Sequence, residues 1–371
     1  MADLVEHGYE NVAVVEDAGR IIITYENRIY RYETAALYEV LRRAEIHAGS
    51  TRQIILLLRR RNVAIVAFTA CAKADDEQAF DGIQVSTDVA AYEHLLGSSA
   101  RANASHFKLD LVIHPQFMVQ LGNYDEPVES QVNIAPELTL SPWQGMRVSA
   151  QVILPLQNEL GAAGDYVRPG LVTLSQMARL PHSIFLMGSA GYFTKDRYGL
   201  DVQAKKFFAG GRWSAGAQVG YTGHASFHRG DLLYSHPQDV SWSVNLEAFL
   251  PRYTLFVRST TGRFVFGDVG TRVDVMREFG EFRFGFLGVA TDEGENAGFT
   301  LSVPLPFGRY ARPAPVRVRP ARAFPWEYRS RGYPSHGVQY RTGNAIDDVW
   351  HGITPAFLMQ NVMLQHASHS N

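Results

Sequence analysis

The dominant pattern along the chain is an alternation of apolar and polar positions between residues 106 and 306. Over 131–140, Val132, Ile134, Pro136, Leu138 and Leu140 share one face, against Gln131, Asn133, Ala135, Glu137 and Thr139. Over 146–154, Met146, Val148, Ala150, Val152 and Leu154 oppose Arg147, Ser149 and Gln151. The stretches 213–221 and 241–250 repeat the arrangement, with Val219, Tyr221, Trp242, Val244 and Leu246 against Ser214, Gln218, Ser243, Asn245 and Glu247. Period two marks a strand, and about twelve such segments follow one another with turns between them and no helix. Their length of about 9–12 residues exceeds that of typical soluble strands and suits a tilted bilayer crossing. Aromatics gather near the segment ends, as membrane girdles do: Trp143, Tyr166, Tyr192, Phe193, Tyr198, Phe207, Phe208, Trp213, Tyr221, Tyr253, Phe264 and Phe266. A soluble β-sandwich alternates too. Strand length and aromatic ends tilt the reading towards an antiparallel membrane β-barrel of about twelve strands.

The flanks differ. Residues 10–70 read as a small α/β domain of order ββαββ. Its helix over 33–47 carries an apolar stripe at Leu37, Val40, Leu41 and Ala44, with Thr34 to cap it and Gly49 beyond its end. Its last two strands meet at a charged tip, Arg59-Arg60-Arg61, expected to be a solvated turn. Residues 71–105 read as a polar linker with a short helix around Val89–Leu96. Residues 307–371 form a Pro/Arg-rich, extended, polyproline-like segment ending in a short helix that Thr354-Pro355 opens.

Composition narrows the class. A formal charge of -2 argues against nucleic-acid binding. Cys71 is the only cysteine, which excludes an intrachain disulfide and a cysteine-based zinc site. No apolar run is long enough for a transmembrane helix, and Met1–Glu10 lacks an apolar signal core. Either the chain is cytoplasmic or its sequence begins after processing.

Three stretches together resemble the YjbH-type outer-membrane proteins of exopolysaccharide and group-four-capsule systems. They are ITYENRIYRYETAALYEVLRRA with the paired strands after it, the VPLPFGRY ending of the β region, and RSRGYPSHGVQYRTGNAIDDVWHGITPAF. The resemblance implies an outer-membrane barrel with its N-terminal domain in the periplasm, the signal peptide having been trimmed from the chain. It implies a role in polysaccharide export or surface retention, with polysaccharide, outer-membrane lipid and other export proteins as partners. Long members of that family look like two barrel-containing halves in tandem, whereas this chain carries one. Its strands therefore close alone or combine with a second copy.

If the apolar face meets lipid, parity turns Gln131, Asn133, Glu137, Arg147, Gln151, Asp201, Gln203, Lys205, Gln218, Asn245, Glu247, Arg272 and Asp274 inward. Such a lining suits a hydrated polymer, and equally suits side chains that pair with one another to brace a closed interior. Arg312, Arg317, Arg319, Arg322, Arg329 and Arg331 in the proline-rich stretch form either a line of donors for an anionic partner or a stiff soluble linker. No catalytic constellation stands out. His224, His228 and His236 lie in a segment read as strand end or loop, where a metal site is not favoured. Ser183, Ser189 and Ser226 lack a nucleophile elbow, and Asp347-Asp348 read as turn residues. No cofactor motif is present. The expectation is a non-enzymatic barrel protein; the alternatives are a barrel-anchored surface-binding protein and a soluble carbohydrate-active β protein.

Overall fold

A computed structural model describes residues 1–48, 53–72, 80–97, 100–121, 128–228, 231–330 and 336–369. The chain is mostly β, with a small mixed sheet at its N-terminus and a large, almost wholly antiparallel one after it.

The small module starts with helix α1 (Ala2–Glu6) and strands β1 (Glu10–Asp17) and β2 (Arg20–Glu26). Helix α2 (Glu33–Ala48) crosses over to β3 (Gln53–Arg60), which lies parallel to β2. The hairpin partner of β3, β4 (Val63–Ala72), then pairs with β5 (Phe80–Ser86), and helix α3 (Ala90–Leu96) follows. The expected ββαββ order is present, but the stretch read as linker supplies a fifth strand. Its polar sequence, FDGIQVS, fits an outer strand of the sheet, with less apolar demand than β3 and β4.

The large sheet is a meander of twelve strands. Six of them are β6 (Leu109–Leu121), β7 (Val128–Leu140), β8 (Met146–Asn158), β9 (Arg168–Leu180), β10 (Ile184–Phe193) and β11 (Arg197–Phe208). After β12 (Trp213–His228) a short strand, β13 (Asp231–Tyr234), folds back on its end as an arm. The meander resumes with β14 (Asp239–Leu250), β15 (Leu255–Arg263), β16 (Val269–Phe279), β17 (Phe282–Thr291) and β18 (Gly294–Pro304).

The Pro/Arg-rich stretch departs from the polyproline expectation. It contributes β19 (Val316–Pro320), parallel to the free edge of β6, and β20 (Ala323–Arg329), antiparallel to the free edge of β18. One continuous segment thus covers both edges of the sheet. Pro320 and Pro325 are tolerated because neither strand has ladder partners on both sides. Phe117 of β6 and Trp326 of β20 bring the two edges together, their ring centroids 6.2 Å apart. Helices α4 (Ile346–Trp350) and α5 (Pro355–His369) complete the chain.

The module sits at the end of the sheet that holds its tight turns. Gly145, in the β7–β8 turn, donates to the Arg61 carbonyl at 2.7 Å, and Ser183 in the β9–β10 turn donates to the Thr87 carbonyl at 2.9 Å. Arg31 pairs with Glu281 of the β16–β17 turn, and Arg179 with Glu93. One apolar core runs from the module through α4 and α5 to the sheet. It joins Tyr9, Ile23, Leu41 and Leu56 to Trp350, Leu358 and Val362, and these to Met177, Phe185 and Phe207.

Candidate functional site

Burial on the large sheet is the reverse of a soluble protein's. Ser149, Ser175, Asn133 and Asp201 are at most 1% exposed. On the opposite face Leu200, Val202, Val219, Val244 and Phe286 are 52–63% exposed. The alternation therefore faces polar side chains inward and apolar ones outward over the whole meander. The thirteen residues picked out by parity all lie on the inward face: Gln131, Asn133, Glu137, Gln151, Asp201, Gln203, Lys205, Glu247 and Asp274 are buried, and Arg147, Gln218, Asn245 and Arg272 are half-buried.

What they meet is protein. The chain after β20 returns along this face, from the end remote from the module to the end beside it. Gly337 donates to Asp268 at 2.7 Å, and Gln339 donates to Ser243 at 2.9 Å. Tyr340 donates to Asp201 at 2.7 Å while its ring stacks on Phe193, centroids 5.2 Å apart. Asn344 donates to Ser149 and Thr173, each at 3.2 Å. Ile346 donates its N–H to Gln203 at 2.9 Å. Trp350 packs between Phe185 and Phe207, at 4.7 and 4.4 Å, and Phe357 packs on Phe249 and Phe256. These partners sit on β8, β9, β10, β11, β14, β15 and the β15–β16 turn, so the segment lies against one face of the sheet across many of its strands.

Small residues make room for it. A Cβ on Gly220 would stand 1.8 Å from the Tyr340 hydroxyl. Gly337, at φ +61°, would place a Cβ 2.4 Å from Val289. Its left-handed backbone turns the chain inward there.

Charge locks the returning segment. Lys205 lies 2.6 Å from Asp347 and 3.6 Å from Glu247; Arg258 lies 2.7 Å from Asp347 and 2.5 Å from Glu247. Two cations from the sheet thus share one carboxylate from the sheet and one from the segment. Arg272 bridges Asp274 at 2.6 Å and Glu327 at 2.9 Å, and Arg329 also holds Glu327, at 2.8 Å. Glu137 binds His114 at 2.8 Å with Arg147 at 4.0 Å. Of the two readings of the inward face, mutual bracing is the arrangement present. Asp347 belongs to this network and Asp348 caps the Ala345 N–H at 3.2 Å, so the pair opens α4 rather than forming a free turn.

The arginine stretch is divided. Arg317 and Arg319 reach Asp110 at 2.7 and 3.2 Å, and Arg329 holds Glu327. Arg322 is half-buried, Arg312 is exposed, and Arg331 lies outside the described residues. The tip Arg59-Arg60-Arg61 is not solvated. Arg59 donates to Thr24 at 2.6 Å, Arg60 pairs with Glu33 at 2.7 Å, and Arg61 reaches into the sheet to Asn344 at 2.8 Å.

Among the expected girdle aromatics, Trp143, Phe208, Trp213, Tyr221, Tyr253 and Phe266 are exposed. Phe193, Phe207 and Phe264 instead face inward against the returning segment and its neighbours, which parity at those three positions already dictates. Cations accompany the outer aromatics at the module end: Lys206 over Phe208, Arg252 over Tyr253, and Arg277 over Phe279 at 4.8 Å.

Ser189 is hydrogen-bonded to Ser175 at 2.9 Å, and Ser226 lies in the β12–β13 arm. His224 and His236 are exposed. Among the described residues, no three histidine, cysteine or acidic side chains are placed to hold a metal, and no helix is long and apolar enough to cross a membrane. Comparison of the chain with protein-family models, with curated proteins and with solved structures finds no match.

Sequence reading missed the returning segment. Tyr340, Asn344, Asp347 and Trp350 carry the enclosed site together with the strand residues. A weak signal existed: a buried Lys205 and Arg258 need more negative charge than Glu247 alone supplies, and Asp347-Asp348 offered it.

Proposed function

We propose that the chain is a membrane β-barrel protein of the bacterial outer membrane, closed by the 316–329 segment, plugged by 336–353 and capped at its periplasmic mouth by the α/β module. The single observation that carries this reading is the inverted burial of the large sheet. Apolar side chains left exposed over so many neighbouring strands far exceed the patch that soluble monomers tolerate, and lipid is the solvent that accommodates them. The aromatic and cationic residues at the module end fit the headgroup level, where amphipathic rings and long basic side chains settle.

Within that class, the resemblance to YjbH-type proteins supports a non-enzymatic part in exopolysaccharide or capsule export or surface retention. The occupied interior favours retention or anchoring over a permanently open conduit. Polymer contact then falls to the mouth opposite the module, where the β12–β13 arm presents Leu232, Leu233 and Tyr234, each more than half exposed. Self-association is not required for closure, because one chain supplies both edges and the segment that covers them.

The test is extraction and gel mobility. Expressed behind an export signal, the protein should resist carbonate, require detergent, and migrate differently before and after boiling. Release by carbonate together with boiling-independent mobility would sink the membrane reading and return the sheet to a soluble, carbohydrate-active interpretation.

A further inference from the structure

The seam where the module meets the closing segment carries more positive charge than its own carboxylates can balance. Asp110 alone receives Arg317 at 2.7 Å, Arg28 at 3.1 Å and Arg319 at 3.2 Å. Glu10 receives Arg28 at 2.9 Å and also Lys108. Glu33 receives Arg60 at 2.7 Å. The Arg322 side chain makes no hydrogen bond or ion pair among the described residues, its carbonyl alone accepting from the Leu305 N–H at 3.1 Å, and the charges bearing on its guanidinium most are Arg60 and Arg319. Six cations therefore share three carboxylates, an excess of three. Arg31 is balanced separately by Glu281.

Unsatisfied donors gather at the same place. The Tyr310 hydroxyl and the Arg60 Nε are buried without an acceptor among the described residues. Arg319 lies over the Tyr310 ring, 5.5 Å from its centroid, and Tyr310 is also among the groups around Arg322. Buried donors are nearly always satisfied in folded proteins, and crowded guanidiniums in a half-buried setting require a counter-charge. Water can satisfy a hydroxyl but does not cancel charge. A group with several acceptor oxygens and negative charge does both, and planar guanidinium forks match it.

We propose that Arg322, Arg60, Arg319 and the Tyr310 hydroxyl form a binding site for an oxyanion, the phosphate or carboxylate group of an acidic ligand, at the seam between module and sheet. The site links three parts of the chain: the module through Arg60, β19 through Arg319, and the turn into β20 through Arg322. An anion bound there holds the closing segment against the module. Its chemistry does not depend on lipid around the sheet, so it stands or falls separately from the membrane reading.

The experiment is thermal unfolding of the full chain in non-ionic detergent. Sodium phosphate and sodium glucuronate are each titrated against sodium chloride at matched ionic strength. One of the two oxyanions should raise Tm saturably where chloride does not, and which one acts identifies the phosphate or the carboxylate as the group bound. R322Q breaks no existing contact and should raise the half-saturating concentration about tenfold, the loss of one charge-assisted contact. R322E places the missing negative charge in the seam and should raise Tm above wild type in oxyanion-free buffer. Equal shifts by chloride, an R322Q titration that overlays wild type, or a fall in Tm for R322E would each overturn the proposal.

Discussion

Tyr25 shows what a single buried group contributes. Its side chain is fully buried against Tyr9, ring centroids 5.5 Å apart, and its hydroxyl has no acceptor among the described residues. Burial, with Glu33 next in importance, pushes its pKa well above the usual tyrosine value, and burial raises Tyr9 as well. The native phenols therefore stay protonated in a pH range where unfolded tyrosines, titrating near about 10, lose their protons. Stability from this source is intact below pH ~10 and falls as pH rises beyond it. Tyr25→Phe should stabilise by about 1 kcal/mol at neutral pH and flatten the alkaline decline; urea midpoints between pH 7 and 11 check both. A variant less stable than wild type at neutral pH would show that the hydroxyl has a partner after all. Glu247 is the converse case. It is buried between Lys205 and Arg258, so Glu247→Ala leaves two cations to Asp347 alone and should cost about 3 kcal/mol. Denaturant unfolding in micelles measures it, and a loss under about 1 kcal/mol would mean the network is already solvent-screened.

At the scale of elements, period two was the most legible feature, because it is set by pleat geometry alone. About twelve segments are expected and the meander has twelve strands, with each of the thirteen polar residues on its buried or half-buried face. The strand β5 was not legible, since its one partner asks little of its sequence. Nor were β19 and β20, because prolines at 320 and 325 argue against a strand unless the edge position is known. The returning segment was the least legible. Its contacts with the sheet are all long-range, and a stretch such as HGVQYRTGNAIDD reads as loop until a sheet lies against it. The apolar face gives this scale its prediction. Val244 lies mid-strand and 52% exposed, so Val244→Arg should reduce the stability of the bilayer-inserted protein by about 2–4 kcal/mol. Leu233→Arg, at 61% still more exposed but on the β13 arm, should change it little. Equal effects of the two substitutions in a bilayer unfolding assay would remove the distinction between lipid-facing and water-facing strands.

For the whole molecule, the inward face, the returning segment and the module act as one body. The apolar core runs without interruption from Tyr9 in the module to Trp350 in the segment and Phe185 in the sheet. Removal of residues 336–371 should therefore do two things at once. If the sheet is the proposed barrel, the removal should unblock the interior, giving a stable ion conductance in planar bilayers where the full chain gives none. It should also loosen the module, which then becomes sensitive to protease. A truncated protein that stays non-conducting would mean the module alone seals the mouth.

The path of the closing segment also fixes an order of events. β20 runs away from the module, and the chain after it comes back along the buried face of the sheet to place α5 beside α2. If the sheet closes into the proposed barrel, a helix and its flanking chain cannot be threaded down the finished ring at any reasonable rate. The C-terminal helix must therefore dock on the module while β6 and β18 are still apart, and the sheet must zip around it afterwards. In that case assembly begins with docking of α5 on the module and finishes at Val316–Arg329. Conditions that delay docking of α5 should trap an open sheet, and the slowest step in refolding should report on the closing strand rather than on any hairpin of the meander.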